Sequence, residues 1–126
     1  MKFHHIGVAC AAINKAVDFV EKSFTVLSKT KIIFDECQNV NLCLLTLEGG
    51  TNIELVSGRT VEKFIDKNQF LYHTCWEVSD IENSIERLYQ NGAILISEPK
   101  PAVLFNDRRV AFLLTDIGII ELLESR

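Results

Sequence analysis

The chain has 126 residues, of which 48% are apolar and 24% are charged, with only 6 Gly and 2 Pro. This composition excludes a disordered or collagen-like protein, and the length is sufficient for one compact domain with its own core. The net charge of −4, with no long block of one sign, argues against a nucleic-acid partner. No apolar stretch reaches the ~20 residues of a membrane span, so we expect no membrane association.

The amino terminus and the cysteines point to a reducing compartment. Lys2 and Phe3 follow Met1 without the apolar segment and small-residue cleavage site that direct secretion, so we expect a cytoplasmic protein. The four cysteines show no Cys-x-x-Cys spacing, which argues against a zinc ribbon and predicts reduced thiols. These cysteines are Cys10, Cys37, Cys43 and Cys75.

The first half of the chain predicts a strand, a helix and three more strands. Ala16, Val17, Val20, Phe24 and Leu27 form one apolar stripe at helical spacing. Short runs rich in β-branched and aromatic residues predict the strands. The predicted elements are the strand Phe3–Ala9, the helix Asn14–Leu27 and the strands Lys31–Cys37, Val40–Leu47 and Asn52–Val56.

The second half predicts the same order of elements. Its helix begins after Ser79 or Asp80 as N-cap and ends at Gly92, a residue that suits a left-handed stop. Two prolines predict a loop over Glu98–Asp107. The predicted elements are the strand Leu71–Val78, the helix Ser79–Asn91 and the strands Ile94–Ser97, Arg109–Leu114 and Gly118–Leu123. We therefore expect one domain of two modules, residues 1–57 and 70–126, joined by a connector over 58–69 with one short helix.

An internal duplication underlies this symmetry. His5 to Ile13 and His73 to Ile81 have the same spacing, and Leu44-Leu45-Thr46 has a counterpart in Leu113-Leu114-Thr115. Each half carries one His and one Glu, which are 49 positions apart for His5 and Glu54 and 48 apart for His73 and Glu121. Repeated spacing of this kind is typical of a duplicated structural unit.

The repeated His and Glu predict a metal site. His5 shares a strand face with the small residues Gly7 and Ala9, which leave room beside the imidazole. Glu54 and Glu121 are flanked by apolar residues, where an unpaired carboxylate would be costly. Two imidazoles and two carboxylates that converge on one divalent cation would explain all four residues, and the donor set suits Ni, Co, Zn, Mn or Fe. The alternative is that both glutamates face solvent and both histidines are hydrogen-bonded core residues.

These segments resemble a known family. The stretches around His5, Ile53-Glu54-Leu55-Val56, His73 and Gly118-Ile-Ile-Glu121-Leu-Leu are similar to the vicinal oxygen chelate superfamily of glyoxalases, bleomycin resistance proteins and dioxygenases. The similarity is greatest to its methylmalonyl-CoA epimerase and glyoxalase I branch. The resemblance implies an α+β fold of two βαβββ modules that form an incomplete mixed barrel around a metal bound by His5, Glu54, His73 and Glu121.

The resemblance also implies a reaction. A metal-dependent isomerase, epimerase or lyase of this branch transfers a proton next to a carbonyl through a metal-stabilised enolate, with an acyl-CoA or a hemithioacetal as the small-molecule substrate. Glu121, and secondarily Glu54, would be the catalytic base. Two alternatives remain: a metal-free binding protein that stacks flat antibiotics on aromatic residues, and an Fe(II) oxygenase. Trp76 has the opposite strand parity to His73 and is expected to face the helices, which weakens the binding alternative.

Three further residues are candidates for substrate binding, and the resemblance adds a prediction of assembly. Arg108 or Arg109 would bind a carboxylate or phosphate, unless the turn is merely solvated. Cys75 shares a strand face with His73 and would line the cavity, unless it is a plain buried thiol. Paired-module chains of this family commonly form homodimers, so we expect one here.

Overall fold

The protein is described by a computed structural model covering residues 1–126. Three α-helices accompany nine strands of one mixed sheet, which is not closed into a barrel, and this confirms the expected α+β fold. The helices are α1 (Ile13–Ser23), α2 (Glu62–Asp66) and α3 (Ile81–Gln90). The strands are β1 (Lys2–Ala9), β2 (Val26–Lys29), β3 (Ile33–Asp35), β4 (Val40–Leu47), β5 (Asn52–Ser57), β6 (Leu71–Val78), β7 (Ile94–Pro101), β8 (Arg109–Thr115) and β9 (Gly118–Glu124).

The chain divides into two compact units. The first unit comprises His5–Tyr72, and the second comprises His73–Arg126 together with Met1–His4. In the first unit the strand order is β2-β4-β5-β1, with β3 also paired to β4. In the second unit the order is β6-β9-β8-β7. Each unit has a single parallel pair, β1 with β5 and β6 with β9, and its other pairs are antiparallel.

One face of each unit's strands forms a core with a helix. In the first unit, α1 supplies Ile13, Val17 and Val20 to a cluster that includes Leu45 and Leu55 of the strands. The apolar stripe of α1 follows the helical repeat, so its burial removes apolar surface from water along one side of the helix. Alternate residues of β4 and β5 face this cluster, and their neighbours face the opposite side.

The second unit repeats this arrangement with α3. Ile81 of α3 packs with Leu113, Ile120 and Leu122 of β8 and β9, and Trp76 of β6 packs against the same cluster. The prediction that Trp76 faces the helix side is confirmed. Because β-strand side chains alternate, residues of the other parity on β6, β8 and β9 face away from α3.

The boundaries of α1 differ from the prediction. The helix ends at Ser23 instead of Leu27, and Val26–Lys29 forms β2. Phe24 and Leu27 are 51% and 63% exposed, so the last part of the apolar stripe is not buried by a helix. The segment pairs instead with β4, where Val26 faces Leu47. Long-range strand pairing therefore overrides the local helical pattern.

The strand predicted for Lys31–Cys37 is also shorter than expected. Only Ile33–Asp35 forms β3, and the backbone then turns around the Asp35 carboxylate. Oδ1 of Asp35 accepts hydrogen bonds from the amides of Cys37 and Gln38. A carboxylate that satisfies the backbone in this way favours a turn over continued strand. The segment between α1 and β4 therefore contains two short strands, β2 and β3, where one strand was predicted.

The predicted loop over Glu98–Asp107 is partly wrong. Strand β7 continues to Pro101, where Pro101 faces Arg109, and the register shifts between Ser97 and Lys100. Proline is tolerated because β7 is the terminal strand of its sheet and one side of the strand needs no ladder hydrogen bond. The remainder of the segment contains a 3₁₀ turn at Val103–Phe105.

The predicted ends of α3 and the predicted helix of the connector agree with the structure. Asp80 is the N-cap of α3, and its side chain accepts a hydrogen bond from the Asn83 amide at 3.0 Å. Gly92 has φ 96° after the helix, as the left-handed stop requires. The connector holds a 3₁₀ turn at Arg59–Val61 followed by the short helix α2. None of the helices combines the length and the apolar character that a membrane-spanning helix requires.

Candidate metal site

The first unit holds one histidine and one glutamate side by side. Parallel pairing of β1 with β5 places Gly7 opposite Glu54, and His5 lies two residues before Gly7 on the same strand face. His5 is fully buried and Glu54 is 3% exposed. Nε2 of His5 and Oε1 of Glu54 are 3.6 Å apart. The first unit therefore presents a buried nitrogen ligand beside a buried oxygen ligand.

The second unit holds an equivalent pair. Parallel pairing of β6 with β9 places Cys75 opposite Glu121, and His73 lies two residues before Cys75. His73 is 5% exposed and Glu121 is 2% exposed. Nε2 of His73 and Oε1 of Glu121 are 3.2 Å apart. The duplication predicted from the sequence thus reproduces the same strand register and the same contact.

Both pairs lie on the strand face that does not contribute to the helix-packed core. In β9, Ile120 and Leu122 belong to the α3 cluster, so Glu121 between them points to the other side. In β5, Ile53 and Leu55 face α1, which places Glu54 on the opposite face in the same way. The glutamates are buried on this second face, which contradicts the alternative that they face solvent.

The spacing within each pair suits ligands of one cation. Two ligands about 2.1 Å from a metal ion, at the angles of octahedral or tetrahedral geometry, are about 3.0 to 3.4 Å apart. The observed separations of 3.2 and 3.6 Å are close to this range. Imidazole and carboxylate are ligands for Zn, Mn, Fe, Co and Ni alike. The donor set therefore fits a divalent transition metal, and His5, Glu54, His73 and Glu121 are possible metal ligands.

Sequence analysis missed Phe112. Antiparallel pairing of β8 with β9 places Phe112 opposite Glu121, and its ring packs edge-on against the His73 imidazole with centroids 5.5 Å apart. In the first unit, Leu44 occupies the matching place opposite Glu54. The sequence comparison equated Leu44 with Leu113, whereas the strand registers equate Leu44 with Phe112. Aligning the two copies on their glutamates and their neighbouring strands would have revealed this position.

Arg108 and Arg109 are both ion-paired with carboxylates of the second unit. Arg108 is ion-paired with Glu77, and its Nε donates to the backbone oxygen of Glu124 at 2.8 Å. Arg109 donates to the carboxylates of Glu124 and Glu82. The bonds from Arg109 lower the pKa of Glu82, and the bond to Glu124 raises the pKa of Arg109. A role of either arginine in substrate binding stays a prediction.

The four cysteines form no disulfide, and Cys75 is fully buried opposite Glu121. Burial raises the pKa of the Cys10 thiol to about 11, and it raises that of Cys43 as well. Both are therefore neutral thiols near neutral pH. A substrate-lining role of Cys75 stays a prediction.

A family model for the glyoxalase/bleomycin resistance protein/dioxygenase superfamily matches residues 4–112. The chain belongs to this superfamily. The matched region spans β1 to β8 and includes three of the four possible metal ligands, namely His5, Glu54 and His73. No curated protein sequence gives a significant match to the superfamily member described here.

Several solved structures share the fold. Methylmalonyl-CoA epimerase from Mycobacterium tuberculosis is 21% identical with a TM-score of 0.83, over 99% of this chain and 88% of that protein. A hypothetical protein from Bacillus halodurans is 26% identical with a TM-score of 0.77, over 99% of this chain and 94% of that protein. Streptomyces coelicolor methylmalonyl-CoA epimerase, in complex with 2-nitronate-propionyl-CoA, is 22% identical with a TM-score of 0.73, over 99% of this chain and 97% of that protein. These similarities confirm the fold predicted from the sequence.

Proposed function

We propose that this superfamily member is a metal-dependent enzyme of the glyoxalase and epimerase type. It transfers a proton next to a carbonyl group of an acyl-CoA or hemithioacetal substrate. His5, Glu54, His73 and Glu121 bind one divalent cation, and Glu121 is the principal base, with Glu54 in a secondary role.

One observation carries the proposal. In each unit a buried imidazole nitrogen lies beside a buried carboxylate oxygen, at 3.6 Å for His5 and Glu54 and at 3.2 Å for His73 and Glu121. Two ligands of one cation are about 3.0 to 3.4 Å apart, so the atoms of each pair are close enough to bind a single ion. The buried carboxylates support the same conclusion, because a charged group removed from water requires a compensating partner.

The proposed reaction depends on the groups next to the carbon that loses its proton. A bound divalent cation would polarise the substrate carbonyl and make the adjacent C–H more acidic. The Glu121 carboxylate takes the proton from that carbon and holds it on an oxygen. Glu121 is almost fully buried, and exchange of the proton that it holds with solvent would bring deuterium to the carbon in heavy water. Return of the proton to the adjacent carbon gives isomerisation. Epimerisation requires an acid on the opposite face of the carbon, and we assign the donation of that proton to Glu54 as its secondary role.

Proton exchange tests this proposal directly. The wild-type protein, loaded with Ni²⁺ or Co²⁺, is incubated in heavy water with a panel of 2-methylacyl-CoA esters and hemithioacetals. We expect deuterium at the carbon next to the carbonyl for at least one substrate. Glu121→Gln should reduce the exchange by about 10²- to 10⁴-fold, because an amide cannot accept the proton. Exchange by Glu121→Gln at the wild-type rate would remove Glu121 from the mechanism.

The control for this experiment is Glu54→Gln, measured at the same saturating metal concentration. Its rate should fall less than that of Glu121→Gln, because Glu54 has only the secondary role. Metal content is determined for both variants, so that loss of a ligand is distinguished from loss of a base. If both variants retain metal and lose exchange equally, the assignment of a single principal base is wrong.

Elemental analysis separates this proposal from the metal-free binding protein, and oxygen uptake separates it from the Fe(II) oxygenase. Stoichiometric metal in protein purified without a metal-affinity tag supports the enzyme, and its absence from every preparation supports a metal-free binding protein. Trp76 disfavours the binding protein, because it packs on the helix side and against Phe3, where it is not presented on the face of the histidines. Oxygen uptake with a catechol would support the Fe(II) oxygenase instead.

The proposal includes a cytoplasmic homodimer. The absence of disulfides suits a reducing compartment, and exposed apolar side chains such as Phe19, Leu27 and Ile96 are available for contact with a second subunit. Sedimentation velocity at micromolar concentration measures the assembly state. A monomer at high micromolar concentration would contradict the dimer.

A further inference from the structure

We propose that Phe112 is a positioning residue that fixes the His73 imidazole for metal binding. The inference rests on the proposed function, because it assigns to Phe112 a role in the same metal site. It concerns the side chain next to the ligands, and it predicts that the two histidine and glutamate pairs are unequal in how firmly their rings are held.

Phe112, Glu121 and His73 of the second unit lie next to one another. Phe112 lies opposite Glu121 in the β8–β9 pairing, and Glu121 lies 3.2 Å from Nε2 of His73. The Phe112 and His73 rings meet at 84° with centroids 5.5 Å apart, which is an edge-to-face arrangement. Phe112 is itself buried, so its ring is held by packing. Rotation of the imidazole about its χ2 angle would break both the edge-to-face contact and the approach to Glu121.

The first unit provides the natural comparison within the same chain. Leu44 occupies the position opposite Glu54 and is only half-buried. Leucine at that position cannot offer the edge or face of a ring to an imidazole. The His5 and Glu54 atoms are correspondingly further apart, at 3.6 Å against 3.2 Å in the second unit. Ligands held in their binding geometry before the metal arrives lose less conformational entropy when it binds, so the second pair is the better organised half of the site.

The test compares Phe112→Leu with the wild type and with two further variants. Phe112→Leu gives the second unit the side chain that the first unit already has. Phe112→Met retains most of the volume but lacks a ring, so it separates ring contact from cavity formation. Leu113→Val is the structural control, because Leu113 is buried on the α3 side of the same strand and does not belong to the face of His73.

Cobalt affinity and the visible spectrum of bound Co²⁺ are the first measurements. Phe112→Leu and Phe112→Met should both lower the affinity about 2- to 10-fold and alter the ligand-field bands. Leu113→Val should lower thermal stability while leaving the affinity and the bands unchanged. An affinity loss confined to Phe112→Leu, or shared by Leu113→Val, would assign Phe112 a packing role and overturn the inference.

Nitrogen NMR of the histidine rings in metal-free protein is the second measurement. The wild type should show one set of sharp His73 ring signals, and Phe112→Leu should broaden or shift them, with the His5 signals changed much less. Wild-type protein that binds no cobalt would refute the proposed function, and the ring signals would still test the role of Phe112. Unchanged His73 signals in both Phe112 variants would overturn the inference even if cobalt binds normally.

Discussion

The two units share the strand pairing around their His and Glu residues and differ at the edges of their sheets. Around the ligands they agree, because each glutamate faces the residue two positions after its histidine on the parallel partner strand. At the sheet edges they differ: the first unit ends in the separate strands β2 and β3, whereas the second ends in one strand, β7. The strand pairing that places each glutamate near its histidine is therefore the same in both units, whereas the edge strands differ.

The second difference lies in the residues next to the ligands. Gly7 and Leu44 face Glu54 in the first unit, whereas Cys75 and Phe112 face Glu121 in the second. The second glutamate thus has larger neighbours and a shorter distance to its histidine. The two His and Glu pairs therefore share a strand register and differ in the side chains packed beside them.

The largest expected effect is the loss of metal affinity when either buried histidine is removed. His73→Ala and His5→Ala each remove one nitrogen ligand, so each should lower cobalt affinity by at least about 100-fold. The loss should be greater for His73→Ala if the second pair is the better organised. Isothermal titration measures both affinities, and Glu98→Ala is the control because Glu98 is exposed and lies outside the possible metal-binding groups. Equal affinities in the wild type and either ligand variant would contradict the metal site.

The next effect concerns the two helix-packed cores. Leu45 and Leu113 are fully buried at matching positions, because Leu45 faces Ile53 and Leu113 faces Ile120. Leu45→Ala and Leu113→Ala should each lower the free energy of unfolding by about 2 to 5 kcal/mol, since each leaves a cavity in its core. Urea denaturation monitored by the single Trp measures the change. Losses that differ by more than about 2 kcal/mol would show that the two cores are not equivalent.

The smallest effect concerns the helix caps, where the units differ most simply. Asp80 caps α3 with its side chain, whereas Ala12 at the start of α1 has the extended backbone of an N-cap but makes no side-chain hydrogen bond. Asp80→Ala should lower the free energy of unfolding by about 1 kcal/mol, and Ala12→Asp should raise it by a smaller amount.

Ala11→Asp is the control for the cap, because it adds the same charge one residue earlier without occupying the N-cap position. Thermal unfolding of the three variants measures the differences. If Ala11→Asp stabilises the protein as much as Ala12→Asp, the gain comes from charge near the helix amino terminus and not from a capping hydrogen bond.

Much of the fold could be predicted from the sequence, because the relevant signals are local. The helix α3 combines an apolar stripe, the cap Asp80 and the stop Gly92, and all three agree with the structure. The end of α1 could not be predicted in this way. The residues after Ser23 continue a helical pattern, and only their pairing with β4 makes them a strand.

The residues of the candidate site were also only partly predictable from the sequence. His5, Glu54, His73 and Glu121 could be selected from the sequence because the duplication repeats their spacing and because buried carboxylates are rare without partners. Phe112 was not selected, because its relation to His73 depends on which residue of β8 faces Glu121. A shift of one residue between the two copies, within the turn that joins the last two strands, concealed that relation.

The sequence by itself determined the repeated order of strands and helix, the strand face of each ligand and the chemistry of the donor set. These properties depend on residue type and on the two-residue period of a strand, which are visible along the chain. Only the tertiary structure decided where α1 ends, that β7 continues to Pro101, and that Phe112 packs against His73. Those outcomes depend on hydrogen bonds and ring contacts between residues far apart in the chain, and no local pattern encodes them.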